Sequence, residues 1–124
     1  MAGTIVADTL THSTAGSIAT NYVVNGSAKS WSKVNQVGSQ SILDSFNVAS
    51  ITDNGLSTTI ITFVNSMSNE NYSISGSTDF GVDDYSQHQF STETTSSFAA
   101  INSPDYSASF LDSVVSSTVH GDLA

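Results

Sequence analysis

The side chains best suited to ligand chemistry are carboxylates in one acidic segment, residues 77–95. They are Asp79, Asp83, Asp84 and Glu93. Several hard oxygen atoms on one flexible loop are the ligands that Ca²⁺ prefers in proteins. The segment lacks the Asp-x-Asp-x-Asn-Gly order of a dedicated calcium loop. We therefore expect a solvated acidic surface loop here, with a calcium site as the less favoured alternative.

Three aromatic residues, Phe80, Tyr85 and Phe90, are interleaved with these carboxylates. Exposed aromatic rings among polar residues stack on sugars or anchor a partner protein, whereas buried rings cover the open edge of a β-sandwich. The covering role is the commoner one in a chain of this length. The three residues are nevertheless candidates for binding.

The sequence contains no recognisable catalytic motif. The three histidines, His12, His88 and His120, lie far apart and show no zinc-ligand spacing. There is no cysteine, no Gly-x-Ser-x-Gly turn that would mark a serine nucleophile, and no glycine-rich phosphate loop. We therefore expect a protein that is not an enzyme and that has no resident cofactor.

The charge balance excludes some partners. Lys29 and Lys33 are the basic residues, against eleven acidic ones, so the formal net charge is −9. Such a surface repels phosphate, and we expect no binding to nucleic acid. No apolar run approaches the about 20 residues that span a bilayer, so we expect no membrane insertion.

Short β-strands separated by turn residues must position all of these side chains. A chain of 124 residues is long enough for one domain with a core. We predict a docking arm of extended backbone in residues 1–21 and an antiparallel, jelly-roll-like β-sandwich in residues 22–124. Strands are predicted at 22–24, 28–34, 72–76, 98–101, 106–110 and 114–120. A turn is predicted at 102–105.

A hairpin is the clearest local prediction. Residues 44–53 and 57–64 are rich in Val, Ile, Thr and Phe and flank Asn54-Gly55, the pair favoured in a two-residue type I′ turn. Ile61 and Phe63 lie on one face of the hairpin and Ile60 lies on the other, so both faces carry apolar groups. This pattern predicts a hairpin that is central in its sheet.

Three residues are candidates for contacts between copies of the chain. They are Tyr22, the single tryptophan Trp31, and Ile60 on the second hairpin face. Trp31 is expected to be a core or interface anchor. Because one small sheet does not need so many apolar groups, we predict a homotrimer with these three residues partly at subunit contacts.

Several segments carry a family resemblance: Ala28-Lys29-Ser30-Trp31, residues 44–55, residues 62–67 and Asn71-Tyr72. In order and spacing they resemble a module of tail-fibre-like virion proteins of marine and cyanobacterial bacteriophages. Residues 3–9, 111–113 and 119–122 resemble the first and last parts of the same proteins, whereas the acidic segment matches poorly. Leu43 stands where family members carry an arginine, so a role that depends on that arginine does not transfer.

The resemblance implies a structural protein of the virion, often trimeric, whose β-domain is displayed on the particle. Our first hypothesis is a tail-fibre or adhesin-type component that binds other virion proteins through residues 1–21 and contacts a glycan or protein of the host surface. The alternative is a capsid decoration protein, which the absence of a shaft segment favours. A free-standing carbohydrate-binding module is the third possibility.

Overall fold

The computed structural model describes residues 6–79, 86–104 and 112–124, and these residues form mainly antiparallel β-strands. The elements are β1 (Thr9–His12), β2 (Gly16–Ala19), α1 (Thr20–Gly26), β3 (Ser30–Asn35), β4 (Ser41–Phe46), β5 (Val48–Asp53), β6 (Thr58–Phe63), β7 (Ser73–Asp79), β8 (Ser86–Ser91), β9 (Ser97–Pro104) and β10 (Val114–His120). The predicted all-β fold class is confirmed.

Strands β3 to β10 form two four-stranded sheets in the described part of the chain. The strand order is β4-β3-β10-β7 in the first sheet and β5-β6-β9-β8 in the second sheet. The buried core joins Val34 and Val115 of the first sheet to Ile61 and Phe98 of the second. The inner faces of the two sheets therefore pack together as in a β-sandwich. This strand order does not by itself confirm jelly-roll-like connectivity.

The period of two in β3 decides which side chains face the core. Ser30, Ser32 and Val34 are buried, whereas Trp31 and Lys33 are exposed. Because Trp31 shares its face with a lysine, placing it in the core would also bury an ammonium group. Trp31 is therefore not a core anchor.

Asn47 divides the strand that we predicted over residues 44–53. Its φ of 58° lies in the left-handed region, and the chain passes there from β4 in the first sheet to β5 in the second. The side-chain Nδ2 atom of Asn47 donates hydrogen bonds to the backbone carbonyl oxygens of Lys29 (3.0 Å) and Asn65 (3.1 Å). The prediction of one continuous strand is wrong because one asparagine tolerates this conformation and bonds both neighbouring segments.

The predicted hairpin forms between β5 and β6, but its turn is longer than two residues. Residues 54–57 connect the strands, and the positive φ angles belong to Gly55 (97°) and Ser57 (60°) rather than to an Asn-Gly pair. Gly55 accepts this conformation without a steric penalty. Strand β6 is central in the second sheet, as predicted, whereas β5 lies at its edge.

Helix α1 replaces the strand predicted at residues 22–24. After Asn25 and Gly26 the helix ends, and the Ser27 hydroxyl and backbone nitrogen both donate to the Val23 carbonyl oxygen. The β-branched residues made a strand the natural prediction, but local hydrogen bonding prevails over that weak preference. The boundary predicted between residues 21 and 22 falls inside α1, and the division into arm and sandwich stays a prediction.

Two segments predicted as loop or turn contain strand. Strand β7 extends to Asp79 and β8 begins at Ser86, so much of the acidic segment is regular. Strand β9 continues to Pro104, where we predicted a turn from residue 102. The strand predicted at 106–110 lies outside the described residues.

Candidate functional site

The N-terminal lobe, which we define as residues 6–28, is a β-hairpin followed by α1. Leu10 pairs with Ile18 across β1 and β2. The start of α1 is tied to the residues before β1, because the Thr20 backbone nitrogen donates to the Asp8 carbonyl oxygen (2.9 Å) and its hydroxyl to that of Ala7 (2.7 Å). Both of these hydrogen bonds are made within the lobe.

The apolar side chains of the lobe are exposed. Tyr22 is 67% exposed and Val24 59%, and Leu10 and Ile18 are also accessible. Neither strand of the hairpin nor α1 contains a buried residue. A seven-residue helix and a two-stranded hairpin are marginal without burial of apolar area. The lobe thus has the properties of a segment that is completed by contact with another surface.

An apolar groove of about 440 Å³ runs between β1 and α1. Its lining residues are Val6, Ala7, Leu10, Thr20, Val23 and Val24. Its aliphatic residues come from the residues before β1, from β1 and from α1. It is large enough to take one or two apolar side chains of a partner.

Lys29 joins the lobe to the first sheet. It is buried, and its ammonium group donates to the Val24 carbonyl oxygen in the last turn of α1 and to the Ser27 hydroxyl (3.3 Å). Its backbone nitrogen donates to the Val119 carbonyl oxygen of β10 (2.8 Å). A cation at the C-terminal end of a helix also interacts favourably with the helix dipole. The sequence analysis did not identify this role of Lys29.

Charge is distributed unevenly along the chain. Within the lobe, Asp8 is the single residue of the Lys, Arg, Asp and Glu types, whereas residues 29–124 contain ten acidic residues and both lysines. The lobe is therefore nearly neutral and the sandwich strongly acidic. Copies of the chain that meet through their lobes keep their acidic parts apart, which reduces electrostatic repulsion.

The three predicted contact residues lie on different surfaces. Tyr22 is on α1, Trp31 is on the outer face of the first sheet, and the partly buried Ile60 is on the outer face of the second sheet. The structure does not bring them together.

Phe46, which the sequence analysis did not select, lies beside Trp31. The two residues are opposite each other across the antiparallel pair β3 and β4, and both are exposed. On the other side of β3, Trp31 is opposite Thr118 of β10. Only the pairing of the strands reveals this neighbourhood, because Phe46 is distant from Trp31 in the sequence.

Phe90 covers an edge of the sandwich. It is partly buried against the core, and its ring centroid lies 5.9 Å from that of Phe98 in an edge-to-face arrangement. A Cβ atom added at Gly76 would lie 2.8 Å from Phe90 Cζ, so the glycine leaves room for the ring. This position fits the covering role. Phe80 and Tyr85 lie outside the described residues.

The four candidate calcium ligands lie only partly within the described residues. Asp79 ends β7 and Glu93 follows β8, while Asp83 and Asp84 lie outside the described residues. Within residues 6–79, 86–104 and 112–124, no group of three His, Cys, Asp or Glu side chains is placed to hold a metal ion.

A buried polar cluster joins the two sheets at one end. The Gln36 amide nitrogen donates to the Ser57 carbonyl oxygen and the Thr59 hydroxyl, both at 3.1 Å. The Asp112 carboxylate accepts a hydrogen bond from the Ser57 backbone nitrogen (2.7 Å). The Ser57 hydroxyl is buried without a hydrogen-bond partner in the described structure. We assign this cluster a structural role, and the sequence analysis did not find it.

Among the described residues, Tyr72 is the one whose ionisation is most strongly altered. Burial, the nearby carboxylate of Glu93 and, to a smaller extent, Glu70 raise the pKa of Tyr72 to about 12. Its hydroxyl lies 3.0 Å from the Thr94 carbonyl oxygen and 2.9 Å from that of Ser97, so the protonated form can donate to either. A phenol held in this form stabilises the fold and is not suited to act as a base.

Among the described residues, no helix combines the length and the apolar character needed to cross a membrane. Comparisons with protein-family models, with curated protein sequences and with solved structures give no match to this chain.

Proposed function

We propose that this chain is a structural protein of a bacteriophage virion, of the tail-fibre or adhesin type, and that it assembles through its N-terminal lobe. The observation that carries the proposal is the exposure of the apolar side chains of the lobe, where no residue of the hairpin or helix is buried. The resemblance of residues 28–31 and 44–55 to tail-fibre-like proteins gives the assembly its biological context.

The occupant of the apolar groove is another copy of the same chain, and the assembly is a homotrimer. The nearly neutral lobe supports self-association, because an acidic sandwich alone would repel its copies. Tyr22 and Val24 lie at the subunit contact. The joined lobes present residues 1–21 to neighbouring virion proteins, and the sandwich is displayed outward toward the host surface.

Light scattering coupled to size-exclusion chromatography tests the assembly. We expect the purified wild-type chain to have the mass of a trimer, and the double variant Tyr22→Ser, Val24→Ser to be a monomer with unchanged circular dichroism. The control is Val64→Ser, which removes a similarly exposed valine outside the lobe and leaves the trimer intact. A monodisperse wild-type monomer at micromolar concentration contradicts the proposal.

The position in the particle is tested separately. Antibodies raised against the purified protein are expected to label the tails of virus particles by immunogold electron microscopy, with few copies per particle by quantitative mass spectrometry. Labelling over the whole head with many copies would instead identify a capsid decoration protein. Absence of the protein from particles would contradict both virion roles.

A further inference from the structure

The outer face of the first sheet carries two adjacent aromatic side chains. Trp31 is 38% exposed and Phe46, directly opposite on β4, is 55% exposed. Opposite residues of an antiparallel pair project from the same face with Cβ atoms about 5 Å apart. The two side chains therefore form one continuous apolar platform on this face.

The platform lies in a row of cross-strand neighbours, and the next two residues of this row carry hydroxyl groups. Thr118 on β10 is opposite Trp31, and Ser75 on β7 is opposite Thr118. The row crosses four strands, which is about 14 Å at the usual spacing between strands. One end of this row offers aromatic faces, and the other offers donors and acceptors.

A second row of residues, all of them polar, runs parallel to the row that contains Trp31 and Phe46. Lys33 is opposite Asp44 on β4 and Ser116 on β10, and Ser116 is opposite Ser77 on β7. The row contains one ammonium group and one carboxylate, so its net charge is zero. It still offers both hydrogen-bond donors and hydrogen-bond acceptors. The face therefore combines an apolar platform with closely spaced polar groups and has little local net charge.

These features match the chemistry of a neutral oligosaccharide. A sugar ring has a C–H face that packs on an aromatic ring and hydroxyl groups at its rim that bond to Ser, Thr, Lys and Asp side chains. Stacking on nucleic-acid bases is disfavoured by the net charge of −9, which also opposes polyanionic glycans. An apolar protein surface would leave the polar groups of both rows without partners.

We propose that the outer face of the first sheet, centred on Trp31 and Phe46, is a binding site for an uncharged glycan. This inference deepens the proposed function and rests on it for its biological role, since a displayed sandwich would use the site to contact a host-surface glycan. The binding chemistry itself belongs to the purified chain and is independent of the particle.

The single tryptophan of the chain is the natural reporter of this site. The purified full chain is screened on a broad glycan array, and the neutral oligosaccharides that bind are titrated while Trp31 emission is recorded. We expect a saturable change of emission with at least one neutral glycan and none with heparin fragments. Binding of acidic glycans alone, or of no neutral glycan on the array, would overturn the proposal.

Phe46→Ala is the decisive variant because it keeps the reporter. Losing one stacking ring is expected to weaken binding by about tenfold or more. The control Leu56→Ala removes a similarly exposed apolar side chain from the β5–β6 loop and is expected to bind like the wild type. Wild-type affinity in Phe46→Ala would refute the assignment of the site.

The competing occupant of this face is a second copy of the chain. In that case the Trp31 emission of the wild-type oligomer would shift to longer wavelength when the lobe variant dissociates, and Phe46→Ala would weaken the oligomer. Either result overturns the glycan proposal while leaving the trimer proposal in place. Glycan binding by a monomeric wild-type chain would support the site and contradict the trimer.

Discussion

The ammonium group of Lys29 donates a hydrogen bond to the Val24 carbonyl oxygen, and this contact joins the N-terminal lobe to the β-sandwich. Lys29 precedes β3 directly, and its backbone nitrogen is bonded to β10. One residue therefore fixes the end of α1 relative to the first sheet. The strength of this connection decides whether the lobe keeps its position when it is not covered by a partner.

Lys29→Met removes the ammonium group but keeps an apolar stem of similar length. We expect a loss of about 1–2 kcal/mol in the free energy of unfolding, since a hydrogen bond from a charged donor is lost. Faster amide hydrogen exchange in residues 20–28 is expected to accompany it. The control Lys33→Met changes an exposed lysine and should stay within about 0.5 kcal/mol of the wild type in urea unfolding. Equal stability of the two variants would show that the Lys29 contact contributes nothing.

Asn47→Ala tests the passage between the two sheets. Alanine must adopt a φ of 58° and loses the hydrogen bonds to Lys29 and Asn65. We expect a loss of about 2–3 kcal/mol, measured from urea unfolding midpoints. Asn47→Gly separates the two causes, because glycine accepts the conformation but makes no side-chain bonds, and it should lose less. A change below about 0.5 kcal/mol in Asn47→Ala would contradict this account.

The sequence predicted those strands whose two faces differ clearly in polarity. Strand β10 was predicted with its observed bounds, and the strand predicted at 28–34 overlaps β3, although its exposed face was not identified. The change of sheet at Asn47 was not predictable from periodicity, because it depends on one backbone angle and on contacts with distant segments. Helix α1 was missed because its Tyr-Val-Val core has strand preference and only local hydrogen bonds support the helix.

The candidate site was only partly predictable for the same reason. Trp31 was selected as the single tryptophan and was expected to be a core or interface anchor. Phe46 and Val48 both lie in the strand predicted over residues 44–53, whereas the two residues belong to different sheets. The register of β3 against β4 is a long-range property, and it alone places the second aromatic ring beside the first.

Ser57→Gly is expected to stabilise the protein. Ser57 has a φ of 60°, which strains a residue with a Cβ atom, and its buried hydroxyl has no partner within the described residues. Glycine removes both costs at the expense of chain entropy, and we expect a net gain of about 1 kcal/mol. Ser57→Ala removes only the hydroxyl and should gain less. Destabilisation by Ser57→Gly in thermal unfolding would show that the hydroxyl is satisfied in solution.

Tyr72 makes stability depend on pH in the alkaline range. Its pKa is raised from 10.0 to about 12 in the folded chain, chiefly by burial and by Glu93. Between these values the unfolded phenol has lost its proton while the folded one retains it, so unfolding releases a proton and is favoured as pH rises. The stabilisation is therefore complete below pH 10 and is lost progressively toward pH 12.

The variant Tyr72→Phe isolates this contribution. It should lose about 1 kcal/mol near neutral pH, because the hydrogen bond to Thr94 or Ser97 disappears. Above pH 10 its urea midpoint should fall less steeply than that of the wild type, since the Tyr72 phenol is no longer there to ionise on unfolding. If Tyr72→Phe and the wild type lose stability in parallel above pH 10, ionisation of Tyr72 is not the cause of the alkaline transition.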